Sequence, residues 1–234
     1  MNRDRWLAIP LVAGMVSIAG CAAVNLASGM AQNAEYQKKL RIPAAYDRLA
    51  GKEVAVLVNT NMTMMYEHPY LAERIALGVA SGIQQHDQDL IPGVKVIDPQ
   101  KTLRWQYSTP GWTMLSYADV ANTLGAERVI LVDIYEYRLN PPGNRYEWEG
   151  VCAARVRIIE AAPDALDPET PRAEFDVIAH YPLNLMLPAE AANGQAIEAG
   201  LLIAFIQKVA WLFYEHEEPK YPDKYRPELD VDNS

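Results

Sequence analysis

From Glu53 onward the chain alternates between two hydrophobic periods. Glu53-Val-Ala-Val-Leu-Val58 is a β-branched run bounded by Gly51 and by the turn formers Asn59-Thr-Asn61, and it reads as a strand. Leu71, Ile75, Val79 and Ile83 then recur every four residues, which predicts a helix from Pro69 to about His86. Pro92-Gly93 breaks the chain before a second strand, Val94-Lys-Val-Ile-Asp98, and Asp98-Pro99 is suited to cap one helical turn through Arg104. Ser116-Tyr-Ala-Asp119 has the form of a capping box and predicts a helix over Tyr117–Leu124, ended by Gly125. Within Arg128–Ile134 the run Val129-Ile-Leu-Val132 is continuously apolar, as expected of a central strand covered on both faces. After the turn Asn140–Asn144, Gly150–Glu160 and Ala173–Tyr181 alternate as two further strands, separated by a proline-bearing acidic loop, Pro163–Pro171. A last helix is predicted from about Gln195 to Tyr214 through Ile197, Leu201, Phe205, Val209 and Leu212.

The order is β-α-β-α-β-β-β-α. Strands joined by helices pair in parallel and strands joined by turns pair antiparallel, so the fold class is α/β (α+β): a mixed five-stranded sheet with helices packed on it. Upstream of the sheet, Ala34–Leu40 and Ala44–Leu49 are candidate short helices, and Pro219–Ser234 is a charged, proline-rich tail expected to fray. The predicted organisation is a signal peptide at 1–20, a lipidated tether with a short helix at 21–51, an α/β domain at 52–216, and a flexible acidic tail at 217–234.

The amino terminus has its own pattern. Arg3 and Arg5 precede an uncharged run, Leu7–Gly20, that closes with Ile18-Ala-Gly-Cys21, the three-part layout of an export signal. At 14 residues, with Pro10 inside it, the run falls short of the roughly 20 apolar residues a membrane-spanning helix needs. IAGC resembles the lipobox of bacterial lipoproteins, which implies cleavage before Cys21, acylation of its thiol, and a protein held to a membrane by its lipid in the cell envelope, facing the periplasm or the cell exterior. Cys152 is then left without a partner in the chain. It alternates with Ala154, Val156 and Ile158 on one strand face, as a core residue does.

The segments VAVL, LAERIALGVASGI, VKVID and ADVANTLGAERVILVDI resemble the periplasmic α/β module of the TolB amino-terminal, CsgG and LpoB envelope lipoproteins, over roughly residues 52–181. The resemblance lies in pattern and order, implies the α/β fold and an envelope setting, and carries over no functional residue.

Charge narrows the partners. The chain carries a formal −9, and loss of residues 1–20 removes Arg3, Asp4 and Arg5, moving it to −10. Such a surface lacks the basic patch that nucleic acid requires, so no nucleic-acid partner is expected. No catalytic spacing of the GxSxG, HExxH, CxxC or phosphate-loop kind occurs, so no enzyme activity, catalytic residue, cofactor or metal is expected. His68, His86, His180 and His216 each fall in polar or element-end settings; His86 with Asp87 and Asp89 is the one metal-like grouping, and a solvated helix end explains it as well. Asp133, within an apolar strand, is either a functional carboxylate or a hydrogen-bonded structural one.

The candidate partner-binding residues are aromatic. Arg104-Trp-Gln-Tyr-Ser-Thr-Pro-Gly-Trp112 places Trp105, Tyr107 and Trp112 between expected elements, and Asn144–Trp148 adds Tyr146 and Trp148 on a second loop that can join the same surface. Such aromatics either cap the domain's own core or anchor a partner. The leading reading is an accessory or assembly module that binds another envelope protein; the alternative is a subunit of a lipoprotein secretion pore, and a periplasmic hydrolase using Asp133 or the His86 group ranks last.

Overall fold

The computed structural model describes residues 35–86, 88–161, 170–183 and 187–225; Cys21, the signal peptide and most of the acidic loop lie outside them. Two compact units are formed. One contains the described residues up to Ile42 and from Glu217 on, and the other is Pro43–His216.

In the first unit, β1 (Lys39–Ile42) pairs with β9 (His216–Pro219). The helix expected over Ala34–Leu40 is replaced from Lys39 by this strand, and the described part of the tail expected to fray, residues 219–225, makes defined contacts. Side-chain contacts account for the difference. Tyr36 meets Tyr221 edge-on at 5.8 Å, the Lys224 ammonium lies 4.9 Å from the Tyr36 ring centre, and the Lys220 amide donates to the Lys38 carbonyl at 2.8 Å.

The second unit is the α/β domain. Its elements are β2 (Glu53–Thr60), α1 (Met62–Glu67), α2 (Leu71–Gln84), β3 (Lys95–Val96), α3 (Pro99–Ser108), α4 (Tyr117–Leu124), β4 (Arg128–Arg138), β5 (Glu147–Trp148), β6 (Gly150–Glu160), β7 (Ala173–Tyr181), β8 (Leu187–Pro188) and α5 (Gly194–Ala210). The main sheet has the order β3-β2-β4-β6-β7, parallel through β4 and antiparallel beyond it, as the hydrophobic pattern requires. A small β5–β8 pair stands apart.

Alternation in β2 and β4 sends side chains into two cores. Val54, Val56, Val58, Ile130, Val132 and Ile134 point to one face, where α2 and α5 cover them; Ala55, Leu57, Val129 and Leu131 point to the other, under α4. Cys152, Ala154, Val156 and Ile158 continue the first core, with Cys152 fully buried as a free thiol. Each fully buried aliphatic side chain here contributes roughly 1.5–3 kcal/mol. On α2, Gly78 and Gly82 face Ile206 and Ala210 of α5, so the absence of side chains there lets the two helices approach closely.

Several boundaries differ from expectation for local reasons. Asn59-Thr-Asn61 is not a plain turn: Asn61 caps α1, its side chain accepting the Met64 amide at 2.8 Å. The helix expected to start at Pro69 begins at Leu71. Asp98 caps α3 as expected, but α3 runs to Ser108, well past one turn. Ala44–Leu49 is not helical. There the Tyr46 amide donates to the Leu212 carbonyl at 2.8 Å, the Tyr46 hydroxyl donates to Glu160 Oε1 at 2.8 Å, and Leu49 is fully buried, so tertiary contacts override a weak local preference. The last helix stops at Ala210, and α4 with its Ser116 cap and left-handed Gly125 end matches its expected bounds.

Candidate functional site

Trp105 and Tyr107 lie on α3 and not in a linker, and Trp112 begins a short 3-10 turn that follows left-handed Gly111 (φ 76°). Trp105 and Trp112 are half-buried, 6.1 Å apart, and packed on the second core beside Tyr117, so they cap the domain's own interior. Tyr107 stays 65% exposed. Trp148 also works inward: its indole N–H donates to the carbonyls of Ala192 (3.0 Å) and Ala189 (3.3 Å), and its ring lies over Gly194 at the start of α5. Tyr146 beside it is 84% exposed. The two aromatic groups therefore do not form one surface, since Trp105 and Trp112 sit under the α4 layer and Trp148 against the first turn of α5, on the opposite layer.

Further exposed apolar residues lie on the segments that flank β2 and follow α3. Met62, Met65 and Tyr66 of α1, Tyr70 just before α2, and Met114 and Leu115 after α3 are all exposed, Tyr66 and Met114 at 90%. Met65 and Tyr107 share one crevice, and Tyr70 lines the cleft beside it. Helix α3, which follows β3, sends Leu103 into the first core and Trp105 against the second, and its Gln106 side chain donates to the Val58 carbonyl at 3.1 Å, so it crosses the carboxyl end of β2, where a crevice opens. The crevice has a volume of about 140 Å³ and is lined by Val58, Met65, Ala72, Leu103 and Trp112, with Asn59, His68, Gln106 and Tyr107 at its polar margin. The run Met62-Thr-Met-Met-Tyr66 was its sequence signal, hidden while Asn59–Asn61 read as a turn.

Two polar arrangements border this surface. Asp133 accepts from Asn59 Nδ2 at 2.9 Å and is ion-paired with Arg157 through its second oxygen, while Arg157 Nη1 donates to the Tyr117 hydroxyl at 2.6 Å. Burial works against the Arg157 charge, but the hydrogen bond and charge of Asp133 outweigh it and hold its pKa above the usual value. Both carboxylate oxygens of Asp133 are engaged, and the group lines a cavity of about 120 Å³ beneath Trp112. On the other side, an open cleft of about 650 Å³ carries Glu67, Glu73 and Glu198, with Arg74 bound to Glu198 at 2.6 Å. It shares His68 and Pro69 with the first crevice.

The remaining candidates are dispersed. His86 Nδ1 lies 3.2 Å from Asp89 Oδ1 and its ring packs 4.3 Å from Tyr214; Asp87 lies outside the described residues. His68 meets Tyr137 edge-on, His216 stacks on Trp211, and His180 is exposed on β7. Among the described residues no group of three His, Cys, Asp or Glu side chains is placed to hold a metal ion, and no helix is long and apolar enough to cross a membrane. Burial pushes the Cys152 thiol far above its usual pKa, which suits a core residue and not a nucleophile.

No family model and no curated protein matches the chain. Among solved structures, the PelC dodecamer from Paraburkholderia phytofirmans is similar at 12% identity and a TM-score of 0.41, covering 76% of this chain and 99% of that one. Lipoprotein GNA1162 from Neisseria meningitidis is similar at 11% identity and a TM-score of 0.38, covering 68% and 97%. The hypothetical protein CT253 from Chlamydia trachomatis is similar at 13% identity and a TM-score of 0.38, covering 68% and 95%. All three likenesses are loose.

Proposed function

We propose that this chain is a cell-envelope protein anchored by lipid at Cys21, whose α/β domain binds another envelope protein as an assembly or regulatory accessory. The observation that carries the docking part is the exposed group Met62, Met65, Tyr66, Tyr70, Tyr107 and Met114. Burying exposed tyrosine and methionine is favourable, tyrosine anchors protein interfaces at small entropic cost, and flexible methionine adapts to a partner's shape. The anchor part rests on the Ile18-Ala-Gly-Cys21 pattern.

Binding without catalysis fits the polar groups. Asp133 is ion-paired with Arg157 and accepts from Asn59, which supports a structural role for it. A secretion pore would need a long strand with an apolar face toward lipid, and β6 instead turns Cys152, Ala154, Val156 and Ile158 into the core and Arg155 and Arg157 the other way, in ion pairs.

Two experiments test the two parts. Palmitate labelling of cells should be lost in Cys21→Ser, and labelling that persists would remove the anchor. Crosslinking of whole cells should capture a discrete envelope protein, with capture at least about five-fold weaker in Tyr66→Ala/Tyr70→Ala, the equivalent of losing about 1 kcal/mol at an anchor residue. Capture unchanged in that variant would place the interface elsewhere.

A further inference from the structure

We infer that the segment docking on this surface presents an aromatic side chain and, two residues along, a lysine or arginine. The inference rests on the docking reading above and goes further by naming what the surface recognises. The crevice at the end of β2 has the volume of a single ring: its 140 Å³ is close to the roughly 150 Å³ apolar cavity that accepts benzene. Its lining combines the apolar Val58, Met65, Leu103 and Trp112 with Asn59, Thr60, His68 and Gln106, so a ring packs on the former and a phenol hydroxyl has hydrogen-bonding groups within the same crevice.

The adjoining cleft supplies the charge. Arg74 neutralises Glu198, which leaves Glu67 and Glu73 with no cationic partner among the described residues. Glu67 ends α1, where the helix dipole disfavours a carboxylate, so the fold itself gives that charge no local compensation. A cation from outside does. Because His68 and Pro69 form the wall common to both clefts, ring and cation have to reach the protein side by side, and side chains two apart on an extended peptide lie on the same face about 7 Å from each other.

The probe is the tripeptide acetyl-Phe-Gly-Arg-amide, titrated into the full-length protein in detergent and followed through the indole N–H signals of Trp105 and Trp112. It should bind about ten-fold tighter than acetyl-Ala-Gly-Arg-amide and about five-fold tighter than acetyl-Phe-Gly-Glu-amide. Ala72→Leu, which fills the crevice, should abolish the advantage of phenylalanine, and Glu67→Gln/Glu73→Gln should abolish the advantage of arginine. The inference is overturned if the three peptides bind alike. It is also overturned if a folded Ala72→Leu retains the phenylalanine preference; should that variant unfold, the exposed Glu67→Gln/Glu73→Gln pair decides, and an undiminished arginine preference overturns it. Crosslinked capture that depends on Tyr66 and Tyr70, with no selectivity among the peptides, removes this inference and leaves the docking reading standing. Selective peptide binding with capture independent of those tyrosines removes the docking reading instead.

Discussion

Gly78 and Gly82 lie one helical turn apart on α2, yet alanine at the two positions should move stability in opposite directions. Alanine in a helix interior is favoured over glycine by about 0.8–1 kcal/mol. At Gly82 the added Cβ would meet only the Ala210 Cβ, at 3.3 Å, a slightly tight contact that small shifts relieve. Gly82→Ala should therefore stabilise by about 0.5 kcal/mol, or about 1–2 °C in Tm for a chain of this size. At Gly78 the same atom would lie 2.4 Å from Ile206 Cδ1, 3.0 Å from Cγ1 and 3.1 Å from Cγ2. Rotating the Cδ1 methyl away does not clear the other two carbons, because a β-branched side chain in a helix is held to essentially one χ1 rotamer. Helices α2 and α5 must then part, and overpacking of this kind costs about 1–3 kcal/mol. Set against the propensity gain, Gly78→Ala should destabilise by about 1 kcal/mol and lower Tm by about 2–4 °C. Urea unfolding of both variants, and of Gly78→Ala in an Ile206→Ala background, measures this directly. With Ile206 truncated, Gly78→Ala should become stabilising. If Gly78→Ala in the otherwise native chain raises stability as much as Gly82→Ala does, the helices are not in close contact at this point and the argument fails.

Three other outcomes are expected. Cys152, in a Cys21→Ser chain, should resist Ellman's reagent at pH 8 and react fully in denaturant; rapid reaction of the folded protein would contradict its burial. Asp133→Ala leaves a half-buried Arg157 without its counter-charge and should lower urea stability by about 2 kcal/mol, between the exposed and buried limits, with Arg157→Met added to it restoring most of the loss. Burial, reinforced by the Glu160 hydrogen bond, raises the Tyr46 pKa to about 12. Because the folded value lies above the ordinary one near 10, the neutral hydroxyl's contribution is whole below about pH 10 and fades toward pH 12. The stability difference between native protein and Tyr46→Phe should shrink across that window, and a constant difference would be the contrary result.

The sheet was legible because its signals are local and redundant. β6 and β7 alternate cleanly between turn-forming segments, and α4 carries both a Ser116 cap and a Gly125 stop, so pattern and punctuation agree. What escaped was decided at long range. Nothing near Lys39 announces a strand whose partner begins at His216, and nothing in Ala44–Leu49 shows that the Tyr46 amide will find the Leu212 carbonyl. The site was half legible for a related reason. Tryptophan draws attention in a sequence, but Trp105, Trp112 and Trp148 are large enough to be recruited inward, and the exposed role falls to Tyr66, Tyr70 and the methionines beside them. Asp133 was correctly singled out as unusual, while its partner Arg157 is invisible until β4 and β6 pair and bring the two onto one face.

The hydrogen bond from the Lys220 amide to the Lys38 carbonyl closes the chain on itself, since everything from Lys39 to Pro219 becomes a loop gathered at one clasp. A force that draws Lys38 and Lys220 apart meets that clasp first. Two short strands must open before the loop between them is loaded, which makes β1 and β9 a mechanical fuse. The same closure has a practical side: because Lys38 and Lys220 are neighbours, joining the chain at these two residues by a short linker should leave the sheet intact while freeing residues 141–144 as a site for new termini.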